Sequence, residues 1–146
     1  MTGTIFDIAL PAHEKALRML ERDLIAWITT IDAQGRPHAV PVWFMWHGER
    51  VVVFSEPGTQ KVRHIRAGSP VLVHLQAGGT FGGDVVILNG HAEISERPAS
   101  EWLAGFRDDF VEKYEAAIAD YGMPLEKITE TFSAAIVFTP EAIKAW

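Results

Sequence analysis

"WITTIDAQGRPHAVPVWFMWHGERVVVFS", residues 27–55, decides the fold. β-Branched and aromatic residues crowd its three apolar runs, and two turn signals separate them, "DAQGRP" at 32–37 and "HGER" at 47–50. The first run extends back to Leu24, so the expected strands cover 24–32, 37–47 and 51–55. Connections this short join antiparallel neighbours, which makes the segment a meander. In the middle strand Val40, Val42, Phe44 and Trp46 share one face, and Ala39, Pro41, Trp43 and Met45 share the other. Both faces are apolar, although an antiparallel strand needs only one face buried. The second face therefore calls for cover by the chain's own helices, by another subunit or by a flat ligand, and sequence pattern leaves all three open. Pro41 also removes one ladder N–H, so the strand is not hydrogen-bonded on both sides there.

Working outward, "EPGTQKVRHIRAGSP" (56–70) reads as a short helix from Thr59 to Ala67. Thr59 is its expected N-cap, and Gly68 with Pro70 its stop. "PVLVHLQ" and "VVILNGHAEIS" are further strands, joined by the glycine-rich "AGGTFGGD". That connection leads into a strand rather than a helix, so it reads as a hairpin or rim loop and not as a phosphate cradle. "PAHEKALRMLERD" opens with Pro11 and sets Ala16, Leu17 and Leu20 on one helical face. A longer helix from Ser100 carries Trp102, Phe106, Phe110, Tyr114, Ala117 and Tyr121 at helical spacing and stops at Gly122. "FSAAIVFTP" and "AIKAW" close the chain as strands or extended segments. About six short strands with peripheral helices describe a mainly β (α+β) chain whose antiparallel strands form a closed or nearly closed barrel.

The 146 residues fit a single domain, 1–146, and 48% hydrophobic against 22% charged residues is a globular balance. A formal net charge of −6 repels nucleic acid and anionic membranes as a whole, so an anionic ligand has to be held by a local cluster. The absence of cysteine excludes disulfides, thiolate metal sites and cysteine nucleophiles. The N-terminal stretch has no basic start followed by an apolar core, and no run approaches the ~18 residues of a membrane span, so a cytoplasmic location is expected. The six histidines lack metal-ligand spacing and there is no Gly-x-Ser-x-Gly elbow, so neither a metal nor a catalytic side chain is assigned. A bound cofactor is then the expected carrier of any chemistry.

Lys61 is the one oddity. It falls in the first turn of the 59–67 helix, where the helix dipole disfavours a cation by roughly 0.3–1 kcal/mol. A bound phosphate on Thr59, Lys61 and the first-turn N–H groups would reverse that sign. An exposed, snorkelling lysine is the plain alternative.

Taken in order, "TT…G.P…PVWF.W", the "T.K.R.I" helix before "SPVLVHL", "GGDVVILNGHAE" and a closing strand ending in Trp146 resemble the flavin/deazaflavin split-barrel superfamily that includes the pyridoxamine 5′-phosphate oxidases. Within it the chain looks most like the F420-dependent oxidoreductases of the actinobacterial branch. The resemblance runs from about Trp27 to Glu93 and includes the C-terminus. It implies a six-stranded split barrel, a homodimer, and a cofactor in a groove at the subunit interface. The family's Ser/Thr-x-Lys phosphate signature falls on Thr59 and Lys61. By the same resemblance Val40, Pro41, Val42, Trp43 and Phe44 would lie beneath the cofactor ring. Ser55 and Arg63 would contact its phosphate and side chain, and Trp146 would pack near the groove.

Two departures bear on the cofactor. The FMN-dependent oxidases carry an arginine and a lysine on the second strand, where this chain aligns Val40 and Met45. The signature for a vitamin B6 substrate is also not evident. Both point to coenzyme F420 as the cofactor of an oxidoreductase reducing a small unsaturated organic substrate. FMN on the same fold is the alternative, and a non-catalytic flavin, haem or tetrapyrrole binder is a third reading. His64 stands where many relatives have asparagine.

Overall fold

The turns at 32–37 and 47–50 each join an antiparallel pair as expected, and the rest of the fold is arranged around those two hairpins. The computed structural model describes residues 4–146. Helix α1 (Pro11–Arg22) precedes strand β1 (Ala26–Ile31). Strands β2 (Pro37–Val42), β3 (Met45–His47) and β4 (Arg50–Ser55) follow, then helix α2 (Gln60–Arg66). Strands β5 (Val71–Leu75) and β6 (Val86–Ile94) lead to helices α3 (Ala99–Tyr121) and α4 (Leu125–Thr131), and β7 (Ala134–Ala145) ends the fold. One antiparallel, curled sheet runs in the order β2-β1-β5-β6-β7-β4-β3. This is the split barrel, with seven strands where six were expected, because the segment 37–47 is broken into β2 and β3.

The break has an identifiable cause. β2 pairs with β1 and β3 pairs with β4, so the two halves serve opposite edges of the sheet. Between them the Phe44 backbone is held by side chains of α3 instead of by a ladder. The Phe44 N–H donates to Tyr114 Oη at 2.9 Å, and Lys113 Nζ donates to the Phe44 carbonyl at 3.0 Å. The Tyr114 hydroxyl also faces two carbonyl acceptors, that of Leu24 at 2.6 Å and that of Phe44 at 3.1 Å.

Two apolar clusters share the sheet. Inside the barrel, Ile28, Val51, Val53, Val73, Leu88, Ile136 and Phe138 are at most 1% exposed, and α1 and α2 add Leu20, Val62 and Ile65. On the outer face of β3, β4 and β7, Met45, Val52, Ala135 and Val137 are covered by Trp102, Phe106, Phe110 and Tyr114 of α3. Each such aromatic contributes about 1.5–3 kcal/mol by leaving water. The helical spacing read in α3 thus marks its covering face. The helix kinks at Phe106 (φ −141°, ψ 29°), directly after Gly105. Helix α4, buried through Leu125 and Ile128, was not expected; seven residues are too few for a periodic signal.

The two closing segments form one strand, β7, with a bulge. Asn89 pairs with Ala142 and Gly90 with Pro140, leaving Glu141 as the extra residue. A Cβ on Gly90 would lie 2.1 Å from the Thr139 carbonyl oxygen, so only glycine fits at this crossing.

One sheet face stays outside both clusters. Pro41, Trp27, His74, Ile87 and Lys144 lie in a single cross-strand row, and Trp27 stacks on His74 with rings 6.4 Å apart. The chain's own helices therefore cover the outer surface at β3, β4 and β7 and leave it open at β1, β2 and β5.

Candidate functional site

A largely apolar cavity of about 350 Å³ opens where the β2–β3 break, the end of β4 and the start of α2 converge. That lies in the range of about 300–1,000 Å³ usual for small-molecule sites. One wall is the strand Pro41, Val42, Trp43 and Phe44, and the polar end is Ser55, Glu56, Thr59 and Lys61. Phe110, Tyr121, Ile128 and Phe132 from α3, α4 and the turn beyond close the far side. The Trp43 ring lies parallel to Tyr114 at 4.8 Å and edge-on to Tyr121 at 6.1 Å, which holds it in place.

The polar end is organised by local hydrogen bonds. Ser55 is buried at the end of β4, and its hydroxyl donates to the Glu56 carbonyl at 2.9 Å. The Thr59 hydroxyl shares a 3.0 Å hydrogen bond with Ser55 Oγ and lies 3.3 Å from the Glu56 carbonyl. Thr59 occupies the N-cap position as expected, but its side chain turns to Ser55 and makes no cap bond to α2. With only seven residues in α2, the electrostatics of this end rest chiefly on side chains and not on a helix dipole.

Lys61 carries that electrostatics. It is half-buried, and burial pushes its ammonium below the ordinary lysine range, with Glu56 only partly offsetting the loss of water. Among the described residues it makes no ion pair within 4.0 Å. A desolvated cation beside two hydroxyls, at one end of an apolar slot, suits an anionic group attached to a flat ring system.

Seven of the ten residues expected in a cofactor site, Pro41, Val42, Trp43, Phe44, Ser55, Thr59 and Lys61, line this one cavity. The other three do not. Val40 is 38% exposed on edge strand β2. Arg63 reaches back to the Gly58 carbonyl at 2.6 Å and braces the 56–59 turn. Trp146 is 57% exposed, and its backbone pairs with Val85 at the β6–β7 end, four strands from β2 in the sheet. His64 has a partner of its own, the Thr30 hydroxyl 2.8 Å from Nδ1. Phe110 and Tyr121, read from the sequence only as part of the apolar face of a helix, also line the cavity. Nothing in their spacing separates a core position from a cavity wall.

With this geometry in view, the chain is assigned to a class: residues 12–146 match the pyridoxamine 5′-phosphate oxidase family, and the chain belongs to it. Solved structures share the fold. An F420 reductase is 23% identical with a TM-score of 0.64, covering 87% of this chain and 94% of its own. An FAD-binding protein from Mesorhizobium loti is 20% identical with a TM-score of 0.64, covering 92% and 90%. The heme storage protein HutZ from Vibrio cholerae is 16% identical with a TM-score of 0.69, covering 93% and 95%. Among proteins with curated descriptions no sequence match is found. The structural neighbours of this family member thus include a reductase, a flavin-binding protein and a heme storage protein on one fold. Among the described residues, no helix is long and apolar enough to cross a membrane.

Proposed function

We propose that this chain is an oxidoreductase that binds coenzyme F420 in the cavity beside Lys61 and works as a homodimer. One observation carries the reading: a single slot joins a desolvated lysine and two hydroxyls to an apolar strand wall at Pro41–Phe44. Lys61, Ser55 and Thr59 hold the cofactor phosphate. The backbone of residues 41–44 faces the ring, and Trp43, fixed by Tyr114, sets one boundary of the slot. When bound, the cofactor supplies hydride transfer to a small unsaturated organic substrate. The protein contributes placement and exclusion of water.

F420 is favoured over FMN because Val40 and Met45 stand where the FMN-dependent relatives place an arginine and a lysine. Val40 is on the open edge strand and Met45 is buried under α3, so neither adds a charge to the ring or phosphate. The uncovered row from Pro41 through Trp27, His74 and Ile87 supports the dimer. It is apolar along most of its length and meets the cavity at Pro41, so a second copy seated there would adjoin the slot. Val40 and Trp146, outside the cavity of one protomer, are assigned to that shared region, and Arg63 to support of the phosphate turn.

The test is a parallel titration of the purified chain with F420 and with FMN, together with its mass in solution. Tighter binding of F420 by a dimer is expected. Tighter binding of FMN moves the reading to a flavin-dependent reductase, and a Soret band on haem addition with no binding of either ring cofactor overturns it.

A further inference from the structure

The far side of the Phe44 pivot holds a group that the proposed site does not use. Lys113 of α3 is largely buried, donates to the Phe44 carbonyl at 3.0 Å, and places its ammonium 3.8 Å from the centre of the Phe44 ring and 5.3 Å from that of Tyr114. Phe44 and Met45 belong to the wall of the 350 Å³ cavity, and Lys113 and Met45 to a second cavity of about 590 Å³ on the α1 side. The broken strand is therefore a partition, gripped on its rear by one cation.

We propose that Lys113 is a positioning residue for the ligand of the front cavity: its charged hydrogen bond to Phe44, with the Tyr114 hydroxyl on the Phe44 N–H, sets how residues 41–44 present themselves to the bound ring. This rests on the cofactor reading given above. The physical argument is that residues 43 and 44 have no ladder partners, so their orientation depends on Lys113 and on the Tyr114 hydroxyl, which meets the Phe44 N–H and lies 3.1 Å from its carbonyl. Trp43 follows the same pivot, because its ring stacks on Tyr114 at 4.8 Å. A contact made by an ammonium is stronger than one made by a neutral amine, both at a carbonyl and over an aromatic face.

That strength is adjustable near neutral pH. Burial lowers the Lys113 pKa to about 8, against a smaller opposing pull from Asp23. The charged groups facing it are Glu21 and Arg22 at the end of α1, Asp23 just beyond, and Asp109 and Glu112 from α3 itself. Below pH 8 the ammonium grips Phe44; above it a neutral amine does so less firmly.

The experiment measures FMN and F420 affinity of the full chain from pH 6.5 to 9.5 for wild type, Lys113→Arg, Lys113→Met and the control Glu115→Gln, an exposed α3 position outside the second cavity. Wild-type affinity is expected to fall about five- to tenfold through pH 8, the scale of weakening one charged hydrogen bond. Lys113→Met should bind at the weak level throughout, and Lys113→Arg should hold the tight level past pH 8. Because Lys61 is common to all four proteins, the difference between wild type and Lys113→Arg isolates Lys113. Should Lys113→Met fail to fold, that pair decides alone. Profiles of wild type and Lys113→Arg that coincide overturn the inference while leaving the cofactor site standing. A wild-type chain that binds neither probe overturns the site and this inference with it.

Discussion

Replacing Lys61 with alanine deletes one half-buried cation and nothing else that the fold needs. Its ammonium makes no ion pair among the described residues, and burial holds it below the ordinary lysine range. A charge-assisted hydrogen bond to phosphate contributes about 1.5–3 kcal/mol, so Lys61→Ala should weaken cofactor binding by about 10- to 150-fold. The same residue makes an opposite statement about folding. A lysine whose pKa is depressed in the folded state weighs against the fold while it is charged. That cost is complete below its folded pKa and fades as pH climbs toward the ordinary 10.5. Without cofactor, Lys61→Ala should therefore melt no lower than wild type at pH 7, and the gap should close at alkaline pH. With cofactor the order should reverse, since only wild type gains the full stabilisation by bound ligand. Calorimetric titration with F420 and FMN, paired with melts at pH 7 and 9.5, reads all of this. Equal affinities for wild type and Lys61→Ala with both cofactors would refute the phosphate assignment.

Three other outcomes follow from the same geometry. Gly90→Ala forces a Cβ into the Thr139 carbonyl at the β6–β7 bulge, and should cost at least ~3 kcal/mol, read as a large drop in the denaturant midpoint. Tyr114→Phe leaves the Phe44 N–H unpaired at a buried position and frees Trp43 only slightly, so it should cost about 1–3 kcal/mol in urea while retaining a native fold by circular dichroism. Asp32 has its carboxyl held below the usual range, first by His38 and then by the Arg36 N–H, so its contribution is in place above the ordinary 3.8 and is lost as pH falls through its folded value. Asp32→Asn should melt lower than wild type at pH 7, and that gap should close as pH falls below about 4, flattening the acid limb of the profile.

Much of the architecture could be read from residue order because its causes are local. The β-branched run at 51–55, the turns at 32–37 and 47–50, and the Gly68 stop each act within a few residues. Gly68 does adopt a left-handed φ of +92° after α2. The division of 37–47 into two strands was not legible, since its cause is a pair of side chains 69 and 70 residues away, Lys113 and Tyr114. The aromatic spacing of α3 marked a helix with one apolar face, but not that this face covers β3, β4 and β7 and leaves β1, β2 and β5 open. Thr59, Lys61 and residues 41–44, expected together from the resemblance, line one cavity, and Val40 does not. The position of Trp146 and the reach of Arg63 back to Gly58 depend on strand order and a loop carbonyl, which no local pattern encodes.

The central claim is that the slot between Pro41–Phe44 and Lys61 holds a phosphorylated ring cofactor. A crystal structure of the chain grown with F420 tests it most directly. The account predicts the phosphate within hydrogen-bonding reach of Lys61 Nζ and the Ser55 and Thr59 hydroxyls, with the ring along residues 41–44. A cofactor bound elsewhere, with Tyr121 and Phe132 filling the slot, would contradict it.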